Sequence, residues 1–414
     1  MNQSEQNQAS YDIVVVGGGA AGSGVAASLL KRQPRLKIAI IEPAEKHYYQ
    51  PAWTLVGAGE FDNTKTERNM GDCIPKGVTW IKDAVISFQP ETNQVSTKQG
   101  QVITYQQLIV AAGLKINWDA IPGLIETLGK NGVTSNYRFD LAPYTWQLVQ
   151  QLKSGKAIFT QPPMPIKCAG APQKALYLSC SHWETTGVLN NIEVDFNNAG
   201  GALFSVADFV PSLMKYIERY HAKLSFNSNL VEVDGANKTA WFNVKDAEGN
   251  VTKVAKTFDM LHVVPPQTAP DFIKQSPLAN ADGWVDVNQA TLQHNRYSNI
   301  FSLGDVCSSP NAKTVAAVRK QIVVVAENVL AARTNNALTT EYDGYGACPL
   351  TVEKGKIILA EFGFGGKLLP TFPLNPLVPR KINWILKKYI LPLVYWSAML
   401  KGREWLARTS KPKA

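Results

Sequence analysis

Cys168 stands in the run Pro165-Ile166-Lys167-Cys168-Ala169-Gly170-Ala171-Pro172. Cys348 stands in Tyr342-Asp343-Gly344-Tyr345-Gly346-Ala347-Cys348-Pro349-Leu350. Flanking Gly and Pro are unlike a helix or strand interior, so both thiols read as placed to react. If a second cysteine comes near Cys168 in space, the two can carry electrons as a dithiol and a disulfide. The thiolate is the nucleophile in such exchange, so the chemistry needs a lowered thiol pKa. Lys167 and Lys174 could supply the positive potential. Cys73, Cys180 and Cys307 read as buried structural thiols, which behave as small hydrophobes. Cys307 follows Gly304-Asp305 and is the one of these three that could serve in redox chemistry.

The elements that would position such thiols begin at the N-terminus. Tyr11-Asp-Ile-Val-Val-Val16 reads as a buried parallel strand, and it runs into Gly17-Gly18-Gly19-Ala20-Ala21-Gly22. Gly17, Gly19 and Gly22 fill G-x-G-x-x-G. Their uses are the tight turn, the approach of backbone to a pyrophosphate, and the packing of helix on strand. A helix from about Gly22 to Lys31 would aim its free N–H groups at phosphate, with Gly19, Ala20 and Ala21 on the loop. The strand Lys37–Ile41 ends at Glu42, suited to a hydrogen bond with adenosine ribose hydroxyls. Two later segments choose between NAD and FAD. Gln107-Leu-Ile-Val-Ala-Ala-Gly113 resembles the strand and turn that close the flavin domain of disulfide-reductase-like flavoproteins. Ser298-Asn-Ile-Phe-Ser-Leu-Gly-Asp305 resembles their second flavin motif, where the Asp meets the ribitol; Asp305 could also be a helix N-cap. The cofactor expected is FAD.

A second α/β unit begins at Lys156-Ala-Ile-Phe-Thr160. A nicotinamide cofactor would need another Gly-rich loop there. Gln161-Pro-Pro-Met-Pro follows instead, and proline offers no backbone N–H to phosphate. This argues against a pyridine-nucleotide substrate.

Composition bounds the class. The chain has 414 residues, 45% hydrophobic and 18% charged, enough for two or three domains. Five sparse cysteines do not form a secreted disulfide framework. Met1–Ser10 is polar and reads as no secretory signal, and no apolar run is long enough to span a bilayer. No metal-ligand cluster is visible. The net charge of +9 is concentrated: Lys367 to Ala414 holds ten Lys or Arg and one acid, Glu404. Residues 1–366 are neutral, so a nucleic-acid surface is not expected.

The segments Ile166–Lys174, His47–Gly59, Tyr342–Leu350 and Lys313-Thr314 together resemble the sulfide:quinone oxidoreductases of mitochondria and related bacteria. The resemblance runs from about Asp12 to Trp405. It implies that Cys168 and Cys348 are a redox pair beside FAD. Hydrosulfide would attack their disulfide, or a trisulfide form of it. Cys348 would keep the extra sulfur as a persulfide, and Cys168 would leave as the thiolate that attacks the flavin. Electrons would pass to ubiquinone or another quinone, and a small acceptor such as glutathione or sulfite would remove the sulfur. Carried over as cofactor contacts are Gly19, Ala20, Ala21, Glu42, Gln50 near the flavin end, Val85 at the adenine, and Lys313 at the flavin N1–C2=O edge. His47 could be a base for sulfide or a turn residue held by its neighbours.

Arg380 to Trp396 repeats apolar residues at Ile382, Ile385, Leu386, Tyr389, Ile390 and Leu393, a helical spacing. Lys381, Lys387 and Lys388 are expected on the other face, and Pro392 should kink the helix. Leu368–Pro379 cannot be helical. A basic amphipathic helix with Trp and Tyr reads as lying in a membrane interface, peripheral to a bacterial or mitochondrial inner membrane; the plain alternative is a helix packed on the core. Tyr345, Phe362 and Phe364 could line a quinone pocket near it.

The fold class expected is α/β, with two Rossmann-like domains and a C-terminal amphipathic element. The FAD domain would span 10–114 and 266–335, the second Rossmann-like domain 155–265, and the redox-cysteine and membrane region 336–414. Competing readings are a type II NADH:quinone oxidoreductase and a non-catalytic, flavin-stabilised membrane protein.

Overall fold

The computed structural model describes residues 9–407. The polar start, 1–8, and the end of the basic tail, with Arg408, Lys411 and Lys413, lie outside the described residues.

Apolar runs without alternation make strands that are buried on both faces of a parallel sheet. Ala9–Val16 is such a strand, with Ile13, Val14 and Val15 fully buried. It pairs in parallel with Ile38–Ile41 on one side and Val102–Val110 on the other. Val78–Ile81 extends the sheet beyond Ile38–Ile41, and Ile300–Ser302 returns late in the chain to pair with Val102–Val110. That late strand brings Gly304-Asp305 back to the Gly-rich loop. The crossover helix is Ala20–Arg32, starting two residues before the third Gly of the fingerprint because Ala20 and Ala21 already take helical geometry.

A second parallel sheet has the order Val133–Thr134, Met260–His262, Gly155–Gln161, Ile192–Asn198, Lys223–Phe226. The strand Gly155–Gln161 leads through the Cys168 loop into the helix Ala171–Thr185. An antiparallel three-stranded meander, Ser228–Asp234, Thr239–Lys245 and Val251–Thr257, is inserted in the chain between the sheet's strands Lys223–Phe226 and Met260–His262. The hairpin Gly346–Glu353 and Lys356–Phe362 completes the core of the middle unit. Its Cys348, Leu350, Val352, Ile358 and Ala360 pack in one cluster with Leu176, Tyr177 and Phe196. Cys348 therefore lies inside a strand, contrary to the reading from its Gly and Pro neighbours. Gly346 and Pro349 are accommodated because Pro349 needs no ladder donor at a two-stranded ribbon's free edge.

The C-terminal segment is helical in three pieces: Lys381–Ile385, a π-helical turn Leu386–Ile390, and Leu391–Ser397. Pro392 falls at the start of the third piece, and the widened turn precedes it, which is how the expected kink is realised. Leu368–Pro379 carries no helix. Ile382, Ile385, Tyr389, Ile390 and Leu393 are exposed, between 37% and 65%. The inward face is held at both ends. Trp384 packs with Leu55, Leu178 and Ile357. Tyr395 and Trp396 pack on His47 and Tyr49. Arg32 beyond them pairs with Glu404 and with Glu327. No helix among the described residues is long and apolar enough to cross a membrane.

Lys387 departs from the expected pattern. It is 6% exposed, on the inward face with Asn383 and Trp384, rather than in solvent beside Lys381. A lysine three and four residues after two buried side chains shares their face, and the helical spacing of the exposed residues alone does not reveal this.

Candidate active site

The two cysteines converge. Their Sγ atoms lie 3.6 Å apart although 180 residues separate them in the chain. Both are free thiols, with Cys348 fully buried and Cys168 partly so. Cys168 arrives on a loop at the end of a parallel strand and Cys348 on the hairpin that packs over the following helix. Gly170 permits this approach: a Cβ there would sit 2.3 Å from Leu350 Cδ2 and 3.7 Å from Cys348 Cβ.

Cys168 adopts φ +54°, a left-handed conformation that L side chains rarely take. Three backbone hydrogen bonds hold it there. Its N–H donates to the carbonyls of Ala312 and Lys313, and its carbonyl accepts from the Ala171 N–H. Backbone strain of this kind, of order 1–3 kcal/mol, persists where the surroundings over-determine it, commonly at functional sites.

The electrostatics polarise the pair. The Cys168 thiol is held well below its ordinary pKa, first by the hydrogen bond that Cys348 gives to the ionised sulfur. Burial opposes ionisation, and the charges of Lys174 and Lys387 favour it. Lys174 Nζ donates to Cys168 Sγ at 3.1 Å. Cys348 is raised well above the usual range, because it donates to Cys168 and is itself buried beside that charge. One sulfur is thus set as thiolate and the other as thiol.

Lys167 points elsewhere, so of the two lysines suggested by the sequence only Lys174 meets the sulfur. Lys167 Nζ donates to Gln50 Oε1 at 2.6 Å, and burial pushes its ammonium down to about 8. Tyr137 is a neighbour that sequence reasoning missed. Its hydroxyl donates to the Lys167 carbonyl, and burial raises its pKa well above the usual value, with the charges of both cysteines adding. Its position in an irregular stretch far from both cysteine motifs gave no signal.

The Gly-rich loop has the form a dinucleotide needs. Gly17 has φ +103°, and a Cβ there would lie 2.5 Å from Ala111 O. A Cβ on Gly22 would lie 1.8 Å from Gly17 O, which is the close helix-to-strand packing expected of the third Gly. At Gly19 and at Gly113 a Cβ would meet nothing within 4 Å, so open space lies where backbone would face a ligand. The Glu42 carboxylate accepts the N–H groups of Gly18 and Ala44, both at 2.8 Å, and lies against the loop. Val85 is buried at the start of its strand beside the Asp83 turn. Asp305 follows Gly304, whose N–H donates to Gln321 Oε1. Burial raises the Asp305 carboxyl, against the charges of Lys313 and Lys167. This set fits FAD: an open helix N-terminus and Gly cradle for the pyrophosphate, an acid for the ribose, and Asp305 for the ribitol. Substituting Gly22→Ala should give a protein that purifies with little flavin, read from the ratio of flavin to protein absorbance; full occupancy would contradict this packing.

Other candidates separate from the thiols. Lys313 Nζ donates to the Asp305 carbonyl at 2.5 Å and lies 3.9 Å from the centre of the Trp284 ring. His47 lies on the short strand Lys46–Tyr48, its Nε2 shares a hydrogen bond with Tyr395 OH at 2.6 Å, and burial lowers it to about 4. It is therefore a packed residue of the flavin-side unit, not a turn residue. Cys307 donates to the Gly304 carbonyl, and burial raises its pKa, as it does for Cys73, to about 11, and for Cys180. Tyr345 is buried with its hydroxyl on Glu361, Phe362 packs edge-on to Phe204, and Phe364 packs edge-on to Tyr342.

Comparison with known proteins agrees with this architecture. Residues 11–161 match the family described as pyridine nucleotide-disulphide oxidoreductase. The chain is 44% identical to a mitochondrial sulfide:quinone oxidoreductase of Dictyostelium discoideum, over 96% of this chain and 87% of the relative. It is 38% identical to the mitochondrial sulfide:quinone oxidoreductase of Mus musculus, over 95% of this chain and 87% of the relative. The solved sulfide:quinone oxidoreductase of Aquifex aeolicus shares the fold, with TM-score 0.77 and 19% identity over 95% of this chain and 92% of that one. With two relatives above a third identity along nearly the whole sequence, and the paired thiols and flavin cradle in place, the chain belongs to the sulfide:quinone oxidoreductase family.

Proposed function

We propose that the protein oxidises hydrogen sulfide through a Cys168–Cys348 redox pair and passes the electrons through FAD to a membrane quinone. The observation that carries this reading is the 3.6 Å approach of Cys168 and Cys348, with Lys174 on Cys168. FAD-binding falls to residues 10–114 and 266–335, with Gly17, Gly19, Ala20, Ala21, Gly22 and Gly113 on the pyrophosphate side. Glu42 serves the ribose, Val85 the adenine, Asp305 the ribitol, and Gln50 and Lys313 the flavin end. Residues 155–265 form the second Rossmann-like unit, which offers prolines where a nicotinamide loop would stand.

The sulfur chemistry starts from the disulfide. Hydrosulfide bonds to Cys348 Sγ, the Cys348–Cys168 bond breaks, and its electron pair leaves on Cys168 Sγ. A low pKa makes Cys168 the better leaving group, and Lys174 receives the new negative charge. Closing Cys168 onto the persulfide sulfur then releases two electrons and one proton and leaves one bridging sulfur. Two S–S bonds of about 2.05 Å meeting near the tetrahedral angle span roughly 3.3 Å, close to the 3.6 Å between these atoms. Bound FAD supplies the two-electron acceptor that links this step to quinone. A small thiol or sulfite takes the bridging sulfur and restores the disulfide.

The C-terminal segment is the proposed membrane contact, a peripheral one. Five apolar side chains facing solvent on one side, in the most basic part of the chain, suit an anionic bilayer surface. Replacing Ile382, Ile385, Tyr389 and Leu393 together by Ser should weaken binding to anionic vesicles by about 10²-fold or more. Reduction of a water-soluble short-chain quinone should stay near wild type; unchanged vesicle co-sedimentation would overturn the assignment. The function is tested by adding sulfide and, separately, NADH to the enzyme with a soluble quinone. Sulfide should reduce the quinone and NADH should not; the reverse would establish the NADH:quinone reading instead.

A further inference from the structure

The peptide that precedes the nucleophile is held on both of its polar edges. The Lys167 N–H donates to Gln267 Oε1 at 2.8 Å, and the Lys167 carbonyl accepts from Tyr137 OH at 3.0 Å. Tyr137 is 6% exposed and Gln267 5%, so neither bond competes with bulk water. The two partners come from distant parts of the chain. Tyr137 follows Val133–Thr134, an edge strand of the middle sheet, and lies 30 residues before Lys167. Gln267 lies 100 residues after Lys167, on the short strand Gln267–Thr268 that pairs with Lys115–Ile116 where the chain crosses between the two units. The Asn117 N–H donates to the Pro266 carbonyl and ties the same crossing. One residue on, the Cys168 N–H is shared by the Ala312 and Lys313 carbonyls, each at 3.2 Å. Ile166, on the other side, is 1% exposed. The stretch 166–168 is irregular, yet it is fixed from 137, from 267 and from 312–313. A non-glycine residue at φ +54° relaxes to negative φ unless the peptides around it are held.

We propose that Tyr137 and Gln267 are positioning residues for the nucleophile: their clamp on the Lys167 peptide keeps Cys168 left-handed, with its sulfur facing Cys348, whether or not the two sulfurs are bonded. The need for a clamp arises from the chemistry. The pair opens when a sulfur nucleophile enters and must close again, so Cys168 Sγ has to stay within reach of Cys348 Sγ while it is free. A loop without the clamp would relax on opening and carry the sulfur away. Here the free thiols already stand 3.6 Å apart. Dithiol and disulfide then share one loop conformation, and closing requires no rearrangement. Gln267 and the 312–313 carbonyls belong to the flavin unit, so the clamp also registers the thiol to that unit and not to the middle sheet alone. This rests on the thiol chemistry proposed above, yet its readout needs no sulfide.

The test is the thiol–disulfide equilibrium of the pair in the holoenzyme. The protein is equilibrated without oxygen in mixtures of reduced and oxidised dithiothreitol, quenched in acid and alkylated, and the Cys168 and Cys348 peptides are weighed. In this exchange dithiothreitol closes to its cyclic disulfide, and its two electrons and two protons open the Cys168–Cys348 bond to two thiols. In wild type both forms carry the left-handed strain at Cys168. Without the clamp only the disulfide form is made to carry it, so the balance moves toward the dithiol. Tyr137→Phe and Gln267→Leu should each lower the ratio of disulfide to dithiol about threefold, and the two together about tenfold. A ratio unchanged in the double variant would overturn the proposal, even if its melting temperature falls. If the double variant does not retain FAD, Tyr137→Phe, which removes a single oxygen atom, decides alone. Failure of sulfide to bleach the wild-type flavin would sink the proposed function while leaving this ratio to be read.

Discussion

Cys168→Ser and Cys348→Ser should each slow flavin reduction by sulfide by ~10³-fold or more, with FAD still bound. The size follows from the pair acting as a unit: removing one member of such a unit costs about as much as removing all of it. A serine at 348 has no disulfide for hydrosulfide to open. A serine at 168 leaves Cys348 as a buried thiol whose pKa is raised by burial and which has no bond to break. Each substitution replaces sulfur by a smaller atom, so packing changes little and loss of FAD is not expected. Anaerobic rapid mixing with sulfide gives the rates directly. Retention of wild-type rates in both variants would remove the thiols from the reaction.

Lys174→Met is expected to have the next largest effect, and one that depends on pH. Lys174 Nζ is the only ammonium among the described residues that hydrogen-bonds Cys168 Sγ. An opposite charge at such range shifts a partner's pKa by about one to three units, so its loss should raise the Cys168 midpoint by that much and slow flavin reduction below the new midpoint. Wild-type Cys168, whose pKa is depressed, should show the flatter profile. In the variant the thiolate should grow about tenfold per pH unit until its own, higher midpoint is reached. The deficit in flavin reduction should therefore shrink as pH rises. A deficit that is constant with pH would assign Lys174 a packing role.

The first Rossmann unit was legible because local signals agreed with each other. An apolar run, three spaced glycines and an acid at the end of the next strand each demand one conformation, and the structure has all of them. The cysteine loop was legible in part. Prolines after Gly155–Gln161 argue against a phosphate cradle, but the pairing of Cys168 with Cys348 spans 180 residues and rests on family resemblance. Flanking residues misread Cys348, since a two-stranded ribbon tolerates Gly and Pro that a wide sheet would not.

Side-chain direction was the least legible feature. Lys167 and Lys174 flank the same thiol in sequence, but Lys167 precedes a left-handed residue that turns it toward Gln50, while Lys174 stands on the first turn of a helix facing the sulfur. Lys387 illustrates the same limit at a helix. Regular spacing identifies the outward stripe from Ile382 to Leu393, but not that the face with Asn383, Trp384 and Lys387 packs on the core. Neither direction is written in residue type alone.

The central claim is that electrons leave sulfide through the Cys168–Cys348 pair. It is met most directly by titrating the oxidised holoenzyme with hydrosulfide without oxygen, then trapping thiols and weighing the two cysteine peptides. The flavin absorbance should bleach, and the Cys168–Cys348 peptide pair should carry one sulfur atom more than its two cysteines supply. An unchanged flavin spectrum, or bleaching with no sulfur added to that pair, would contradict the account.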